Sequence, residues 1–321
     1  MSVNFKTLRS FVTAVETKSL SAAALQLHLA QPALSQQIAS LELHFKQKLL
    51  TRSSTGVTPT PAGSELYRHA QLIISHLEQA EREVSSRKDG ISGNVSVGLA
   101  TYSTTSTLST PLLMAVRRQF PGINLFINDN FGLVLSEMVM TGRIDMAIIY
   151  AANSMKGVRL TPLLVEDLFL IAPPGSLLPD PDSKTIALAA IDGMKMLLPS
   201  PTHFLRRLID SHCAQSGIVP YVTAEIESAS TLREAIEVGL GATILPAALA
   251  STFRGRDRPI VRRIVEPRIQ TTVSLCVSDH LSMTAHALAV LNILQSLIID
   301  LIDAQPYAGI HVPEFTAKAT P

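Results

Sequence analysis

The fold of the N-terminal region is decided by residues 19–42, which read SLSAAALQLHLAQPALSQQIASLE. The alanine-rich run Ala22–Leu27 favours a short helix, and Ser21 stands where an N-cap residue belongs. After a short break, Pro32 occupies a position that the first turn of a helix tolerates. Apolar side chains then recur at helical spacing, at Leu34, Ile38 and Leu41. The stretch predicts two helices separated by a tight turn.

Flanking patterns extend this pair to a winged helix-turn-helix. A preceding helix is predicted by an apolar stripe at Leu8, Phe11, Val12 and Val15. Downstream, two short extended runs, 49–52 and 57–60, flank a turn of small residues that ends at Gly56. Such runs predict a hairpin, the wing, that follows three short helices.

A single long helix is predicted after the hairpin. Thr60 and Pro61 make a good helix start, an N-cap residue followed by proline at the first helical position. Apolar residues then follow a heptad spacing, at Leu66, Ala70, Ile73, Leu77, Ala80 and Val84. Such a stripe often packs onto its own domain. Because this helix stands between two domains, we favour pairing with a second copy, which would make the protein a dimer.

Beyond a hinge at 89–93, predicted strands alternate with predicted helices. Strands are expected over 95–99, 123–127 and 146–149, with helices over 111–120 and 133–140. A second alternating set covers 168–245, and a strand at 272–277 and an amphipathic helix through Leu301 close the fold. This alternation predicts βαβ units and a parallel sheet that is buried on both faces. The tail from Gln305, which contains Pro306, Pro313 and Pro321, is expected to be disordered.

Charge is distributed unevenly along the chain. The whole chain has a formal net charge of +1, but residues 1–64 hold six basic side chains against only Glu16 and Glu42, an excess of about +4. A local basic excess suits a polyanion partner, because each neutralised phosphate releases counterions. A randomly charged surface is the alternative interpretation.

These stretches resemble the LysR-type transcriptional regulators. The resemblance is highly specific over 19–24, 31–42, 49–52 and 58–63, and it extends, more weakly, to VGLGATILP at 238–246, so it covers essentially the whole chain. Residues 30–37, 56–60 and 166–170 look most like the nitrogen assimilation control (Nac-type) regulators. The resemblance implies an N-terminal all-α winged helix-turn-helix with a long linker helix. It also implies a C-terminal α/β periplasmic-binding-protein-like effector domain of two subdomains.

The expected segments follow from this resemblance. They are a DNA-binding domain over 1–60, a linker (dimerisation) helix over 61–89, an effector-binding domain over 90–303 and a disordered tail over 304–321. Within the effector domain, subdomain I is expected over about 92–163 and 268–303, and subdomain II over about 164–267. The chain would cross between them near Pro162–Glu166 and Glu266–Ile269.

A recognition helix buries one face and presents its N-terminal turn to the major groove of DNA. With Leu34, Ile38 and Leu41 facing the core, the residues left outside are Gln31, Pro32, Ser35 and Gln36. Glutamine can bond two base-edge groups at once, and proline can contact a thymine methyl group. A solvated polar face is the alternative.

The resemblance adds contacts to the DNA backbone, which set register and affinity rather than sequence. They are expected from Ser21 and Arg52. Thr55 stands in the wing where many relatives carry arginine, which argues against a strong minor-groove contact there.

Small-molecule binding is expected in a cleft outside the carboxyl ends of the strands. Hydroxyl-bearing residues follow the first strand, at Thr101, Tyr102, Ser103 and Thr104, and Ser200 and Thr202 stand at another predicted helix start. Hydroxyls and free N–H groups suit a small anionic or polar effector. Ordinary helix capping is the alternative for each of these residues.

An enzyme is not expected, because Gly239-Leu240-Gly241 lacks the third glycine of a dinucleotide fingerprint and the nine histidines show no metal-ligand spacing. We therefore expect no catalytic residue, no metal site and no cofactor. Two cysteines suit a reduced, cytoplasmic protein. The alternative function is a solute-binding protein that shares only the C-terminal fold. It would need export, and the N-terminus does not read as a signal peptide.

The chain is thus predicted to be a sequence-specific transcription regulator, activator or repressor, in nitrogen or amino-acid metabolism. Its expected partners are double-stranded DNA, RNA polymerase, a small-molecule effector and further copies of itself in a homo-dimer or homo-tetramer. A membrane is not expected, because the most apolar stretch, Ala285–Asp303, is interrupted by polar side chains.

Overall fold

The structure is a computed structural model and describes residues 3–53, 56–85, 91–151, 154–253, 258–304 and 308–313. The chain divides into two units. The first covers Met1–Asp89 together with Thr141–Arg143, and the second covers Gly90–Met140 together with Ile144–Pro321. Each unit buries its own apolar core.

The first unit combines short helices, a hairpin and a long helix. Its elements are α1 (Phe5–Thr17), α2 (Leu20–Gln26), α3 (Gln31–Phe45), β1 (Leu50–Ser53), β2 (Gly56–Pro59) and α4 (Pro61–Ser85). The predicted apolar stripes are confirmed, since Phe11, Leu34 and Ile38 are fully buried. They share one apolar cluster with Ala23 of α2. The three short helices therefore pack around a common core.

The start of α2 corrects one expectation. Ser19 is the N-cap residue, because its hydroxyl accepts a hydrogen bond from Ala22 N–H at 3.3 Å. Ser21 is instead an exposed residue within the helix. The helix begins at Leu20 because that side chain is buried in the core, only 8% exposed, and so belongs to the packed face.

The predicted wing is present as the antiparallel pair β1–β2, in which Leu50 faces Pro59 and Ser53 faces Gly56. Gly56 has a φ of 126°, and a Cβ there would lie 2.3 Å from the carbonyl oxygen of Lys18. The next residue, Val57, donates its N–H to the same oxygen at 2.9 Å. Glycine is therefore required where the hairpin meets the end of α1.

Subdomain I of the second unit is built on a sheet with the strand order β14-β6-β13-β5-β3-β4. Strands β3 and β4 are parallel, as are β3 and β5, but β13 is antiparallel to both β5 and β6. The predicted parallel pairing is confirmed for the alternating strands β3, β4 and β5, but it does not extend to β6 and β13, which pair in opposite directions on the crossing side. The elements are β3 (Gly93–Ala100), α5 (Ser109–Gln119), β4 (Ile123–Asn130), α6 (Gly132–Met140), β5 (Met146–Tyr150), β6 (Val158–Asp167), β13 (Gln270–Ser278), α9 (Ala285–Ala304) and β14 (Ile310–His311).

Subdomain II holds a four-stranded sheet of order β11-β7-β12-β8 and the parallel pair β9–β10. Its elements are β7 (Phe169–Ala172), β8 (Thr185–Ala187), β9 (Lys195–Leu198), α7 (Phe204–Gln215), β10 (Tyr221–Glu225), α8 (Ala229–Glu237), β11 (Thr243–Leu245) and β12 (Ile260–Val265). The first crossing falls slightly later than expected, because β6 stays in the subdomain I sheet as far as Asp167. The second joins β12 to β13 through 266–269.

Helix α9 is long and apolar enough to cross a membrane by length and composition, with a mean hydropathy of 1.8 over its most apolar window. In the structure it contacts α5 and β3 instead. Residues such as Val290, Leu294 and Ile298 are buried on that face. One face of α9 therefore belongs to the core of subdomain I.

The tail corrects a further expectation. Residues 308–313 are described, and Ile310–His311 form β14, which pairs with β6. Ile310 is only 3% exposed, and the Gly309 carbonyl accepts from Asp167 N–H at 2.8 Å. The part of the tail that the structure describes is therefore ordered, because its apolar side chain and backbone groups find partners on β6.

Candidate functional site

Helix α3 separates its apolar and polar residues onto different faces. Leu34, Ile38 and Leu41 are at most 1% exposed. Gln31, Pro32 and Gln36 are exposed, and Ser35 is half-buried. The N-terminal turn of α3 therefore projects its polar edge away from the core, which is the orientation that a groove-reading helix requires.

Two hydrogen bonds distinguish the polar residues of this helix. Gln31 Nε2 donates to Ser35 Oγ at 3.1 Å across one helical turn. Gln37 accepts from Ser10 Oγ at 2.5 Å and so helps to fix α3 to α1. Of the neighbouring pair Gln36 and Gln37, Gln36 faces outward while Gln37 has a structural contact.

Glu42, the acidic residue of α3, points toward the wing. Its Oε1 accepts from Leu49 N–H at 2.9 Å and Leu50 N–H at 3.3 Å, and its Oε2 lies 3.0 Å from Lys48 Nζ. Burial acts to raise the pKa of Glu42, but the hydrogen bonds from Leu49, Lys48 and Leu50 outweigh it and lower the pKa below its ordinary value. The carboxylate thus ties α3 to β1, and Lys48 offsets its charge.

Two of the other predicted DNA-contacting residues lie on the surface of the first unit. Ser21 is exposed on α2, and Arg52 is exposed on β1, where it pairs with Val57 across the hairpin. Thr55 lies outside the described residues.

The heptad residues of α4 fall into two groups. Ala70 is fully buried in the core of the first unit, and Leu66 packs partly against it. Ile73, Leu77 and Val84 are 49%, 38% and 78% exposed, and Ala80 is also exposed. The first part of the stripe therefore packs on its own domain, and the second part is an apolar face on the surface of that unit.

In subdomain I, the predicted effector-binding hydroxyls are mostly enclosed. Ser103 and Thr104 are only 2% and 1% exposed, Tyr102 is buried, and Thr101 is half-buried. Tyr102 donates its hydroxyl to the Ile226 carbonyl of subdomain II at 3.0 Å. This bond joins the two subdomains beside the end of β3.

A buried carboxyl group meets these hydroxyls. Glu166 Oε1 accepts from Thr104 N–H at 2.8 Å and from Ser103 Oγ at 3.3 Å, and its Oε2 accepts from Tyr150 Oη at 2.9 Å. Burial raises the pKa of Glu166, and these hydrogen bonds act in the opposite direction without cancelling the effect.

A cavity of about 260 Å³ lies between the two subdomains. The Phe131 and His203 rings meet edge to face at 5.3 Å, and the Tyr150 and Phe204 rings stack at 5.9 Å. Burial lowers the pKa of His203, which favours the neutral imidazole. Thr202 and the exposed Arg207 also line the cavity. The aromatic cavity thus combines aromatic rings with aliphatic side chains, and its polar groups come from Ser154 of subdomain I and from Thr202, His203 and Arg207 of subdomain II.

The structure does not gather the six predicted effector-binding residues in one place. Thr202 lines the aromatic cavity and shares a hydrogen bond with Ser200, their oxygens 2.9 Å apart. Tyr102 and Ser103 line a separate cavity of about 190 Å³. The helix start expected at Ser200 and Thr202 also moves, since α7 begins at Phe204 with His203 as its N-cap.

Sequence reasoning missed Phe131, Tyr150, Glu166 and His203 as components of this region. A signal existed for Glu166, because it and Asp167 interrupt the otherwise apolar run 163–172. Charged residues are almost never buried unless they are paired, so such an interruption indicates a buried polar network.

Comparison with known proteins covers both units. Residues 5–64 match the family model "Bacterial regulatory helix-turn-helix protein, lysR family", and residues 88–298 match "LysR substrate binding domain". The nitrogen assimilation regulatory protein nac of Escherichia coli strain K12 is 38% identical over 92% of this chain and 95% of its own length.

Two solved structures share the fold. A full-length OxyR variant from Pseudomonas aeruginosa has a TM-score of 0.68 at 22% identity, over 96% of each chain. Full-length CbnR complexed with its target DNA has a TM-score of 0.52 at 22% identity, over 92% of this chain and 100% of that one. Because one relative is 38% identical over nearly the whole chain and both domain models match, this chain belongs to the LysR family of DNA-binding transcriptional regulators.

Proposed function

We propose that this regulator reads an inverted repeat in double-stranded DNA through the N-terminal turn of α3. The observation that carries the proposal is the burial of Leu34 and Ile38 beneath an exposed Gln31 and Gln36. Two such helices, related by a two-fold axis, would reach half-sites about 34 Å apart, one turn of DNA, or a multiple of it.

The residues divide into two roles. Gln31, Pro32, Ser35 and Gln36 would face base edges and so discriminate sequence. Ser21 and Arg52 would contact the sugar-phosphate backbone, which contributes affinity and register. The six basic side chains of residues 1–64, against two acidic ones, suit this electrostatic component.

Dimerisation would use the exposed part of α4. Ile73, Leu77, Ala80 and Val84 form an apolar face there, and a second copy in coiled-coil register would cover it. A homo-tetramer would need further contacts between effector domains.

The regulated genes are proposed to belong to nitrogen metabolism, because the 38% identical relative is a nitrogen assimilation regulator. The aromatic cavity would bind a small-molecule effector. Because the effector would bind two conformations of the protein with different affinities, it would shift the population between them. This shift would alter the relative angle of the DNA-binding domains and the contact with RNA polymerase. We propose that the protein acts in the cytoplasm, without catalysis, metal or resident cofactor.

The test uses a double-stranded site selected from random DNA by the wild-type protein, together with its single-base variants. In fluorescence anisotropy, Gln36→Ala should weaken binding to the selected site by about 5- to 150-fold for each half-site, the range that corresponds to about 1–3 kcal/mol per contact. It should also flatten the preference at one base pair of each half-site. Arg52→Ala should weaken binding to all sites alike.

Gln47→Ala is the matched control, because Gln47 is an exposed glutamine just beyond the C-terminal end of α3. It should leave affinity and preference unchanged. Wild-type affinity and wild-type base preference in Gln36→Ala would contradict the proposed role of α3.

A further inference from the structure

The carboxyl group of Glu166 lies beside the hydroxyl-bearing residues at which the sequence predicts the binding of a small anionic or polar effector. Glu166 is 1% exposed, and its two oxygens take hydrogen bonds from Ser103 Oγ, Thr104 N–H and Tyr150 Oη. We call these three groups the donor cluster. They come from the loop after β3 and from the end of β5, whereas the acceptor comes from β6.

The donor cluster is complementary to a carboxyl group. The three donors, together with the Thr104 hydroxyl, converge on two oxygens, and two of the three lie within 2.9 Å, as they would around a bound acetate or sulfate. Buried donors left without an acceptor are costly, so the cluster needs a partner. Glu166 provides that partner permanently, because the paired strand β6 holds its backbone in place.

The Ser103 hydroxyl and the Thr104 N–H are therefore engaged by Glu166, although Ser103 also lines the separate cavity of about 190 Å³. Thr104 is 1% exposed and donates its N–H inward to Glu166. The aromatic cavity is lined by Tyr150 of the cluster but not by Ser103 or Thr104. A molecule in that cavity meets the aromatic rings and the polar groups of subdomain II.

We infer that Glu166 is a built-in occupant of the donor cluster and a specificity-determining residue, which prevents small carboxylates and sulfate from binding there. An effector of this protein would be recognised without those three donors. The inference deepens the proposed sensing function and rests on it for its regulatory meaning.

The inference predicts that an artificial anion site appears when the side chain is shortened. Glu166→Ala removes one methylene and the carboxyl group, which together correspond to acetate. The vacated space would keep its three donors, so acetate should bind there and restore the lost stability.

The experiment measures thermal unfolding of the full-length protein without DNA, in sodium acetate and in sodium chloride at equal ionic strength. Wild type should unfold at the same temperature in both salts. Glu166→Ala should unfold at a lower temperature in chloride and recover, saturably, as acetate replaces chloride. Trimethylacetate, which is too bulky for the space, should not restore it.

Glu166→Gln is the matched control, because the amide keeps the shape of the carboxyl group and still fills the site. It should fold and show no specific response to acetate. If Glu166→Ala does not fold in chloride, its refolding yield in the two salts is compared instead, and a higher yield in acetate supports the inference.

Two results would overturn the inference. One is a Glu166→Ala protein whose unfolding temperature or refolding yield is the same in acetate and chloride. The other is acetate or sulfate binding to wild type that Ser103→Ala abolishes. Neither result depends on DNA binding, so a failure here is distinct from a failure of the proposed DNA recognition.

Discussion

Glu166 and Asp167 are consecutive residues of β6, and both carboxyl groups are buried, with each residue 1% exposed. Their side chains point to opposite faces of the strand, as alternation along a strand requires. Glu166 meets Thr104 and Tyr150, whereas Asp167 meets Arg268 and His311. Glu166 thus accepts hydrogen bonds from groups that follow β3 and end β5, whereas Asp167 connects β6 to the second crossing and to the tail.

The Asp167 network should make stability depend on pH. Burial acts to raise the pKa of Asp167, but hydrogen bonds from Arg268 and His311 and their charges lower it below its ordinary value. A lowered folded-state pKa contributes stability above the unfolded pKa, about 3.9, that is lost as pH falls through the folded pKa.

Asp167→Asn should therefore lower the free energy of unfolding by about 1–3 kcal/mol at pH 7, because it removes a charged acceptor from two donors. The difference in the free energy of unfolding between Asp167→Asn and wild type should shrink as the pH falls below about 4. Urea unfolding at several pH values measures this, with the exposed Asp192 changed to Asn as a control that should have little effect. A difference that stays constant over this pH range would contradict the assignment.

Arg52 should contribute to DNA binding through phosphate neutralisation. The association constant falls as salt rises, and each phosphate contact adds about 0.9 to the magnitude of the slope of its logarithm against the logarithm of the salt concentration. In a dimer, which has two copies of the residue, Arg52→Ala should therefore reduce that magnitude by about 1.8. Titrations at several salt concentrations measure the slope. Arg118→Ala, which removes an exposed arginine of the effector domain, should leave it unchanged, and an unchanged slope in Arg52→Ala would argue against backbone contact.

Leu77 should be central to self-association, because it is 38% exposed within the apolar face of α4. A charge at a coiled-coil core position must be buried without a partner, which strongly disfavours pairing. Leu77→Glu should therefore reduce the molar mass measured by light scattering to half of the wild-type value or less. His76→Glu places the same charge on the adjacent exposed position and should preserve the mass. An unchanged mass in Leu77→Glu would refute pairing through α4.

Cys213 and Cys276 should be unreactive in the native protein. Both thiols are fully buried, and burial raises the pKa of Cys213 to about 11 and that of Cys276 to about 12. Since the thiolate is the nucleophile, reaction with a disulfide reagent at pH 8 should be slow and should become complete in urea. Rapid modification of either thiol in the folded protein would contradict this prediction.

The elements that the sequence predicted well depend on near neighbours. The stripe Leu34, Ile38 and Leu41 and the small-residue turn at Gly56 act over a few positions, so spacing alone indicates the recognition helix and the wing. The alternation of strands and helices likewise located most elements of the effector domain. The cap of α2 was misplaced by two residues, at Ser21 instead of Ser19, because several residues there suit an N-cap and only packing of Leu20 distinguishes them.

By itself, the sequence determined the helix-turn-helix, the long helix after it and the alternating α/β character of the rest, because hydrophobic periodicity and turn chemistry are local. Tertiary structure alone decided that β13 runs antiparallel to β5 and β6 and that Ile310 adds a strand to the sheet. It also decided that Glu166 meets Thr104 across 62 positions of the chain. Such partners are set by the path of the backbone, and no pattern of neighbouring residues encodes which distant donor will face a buried carboxyl group.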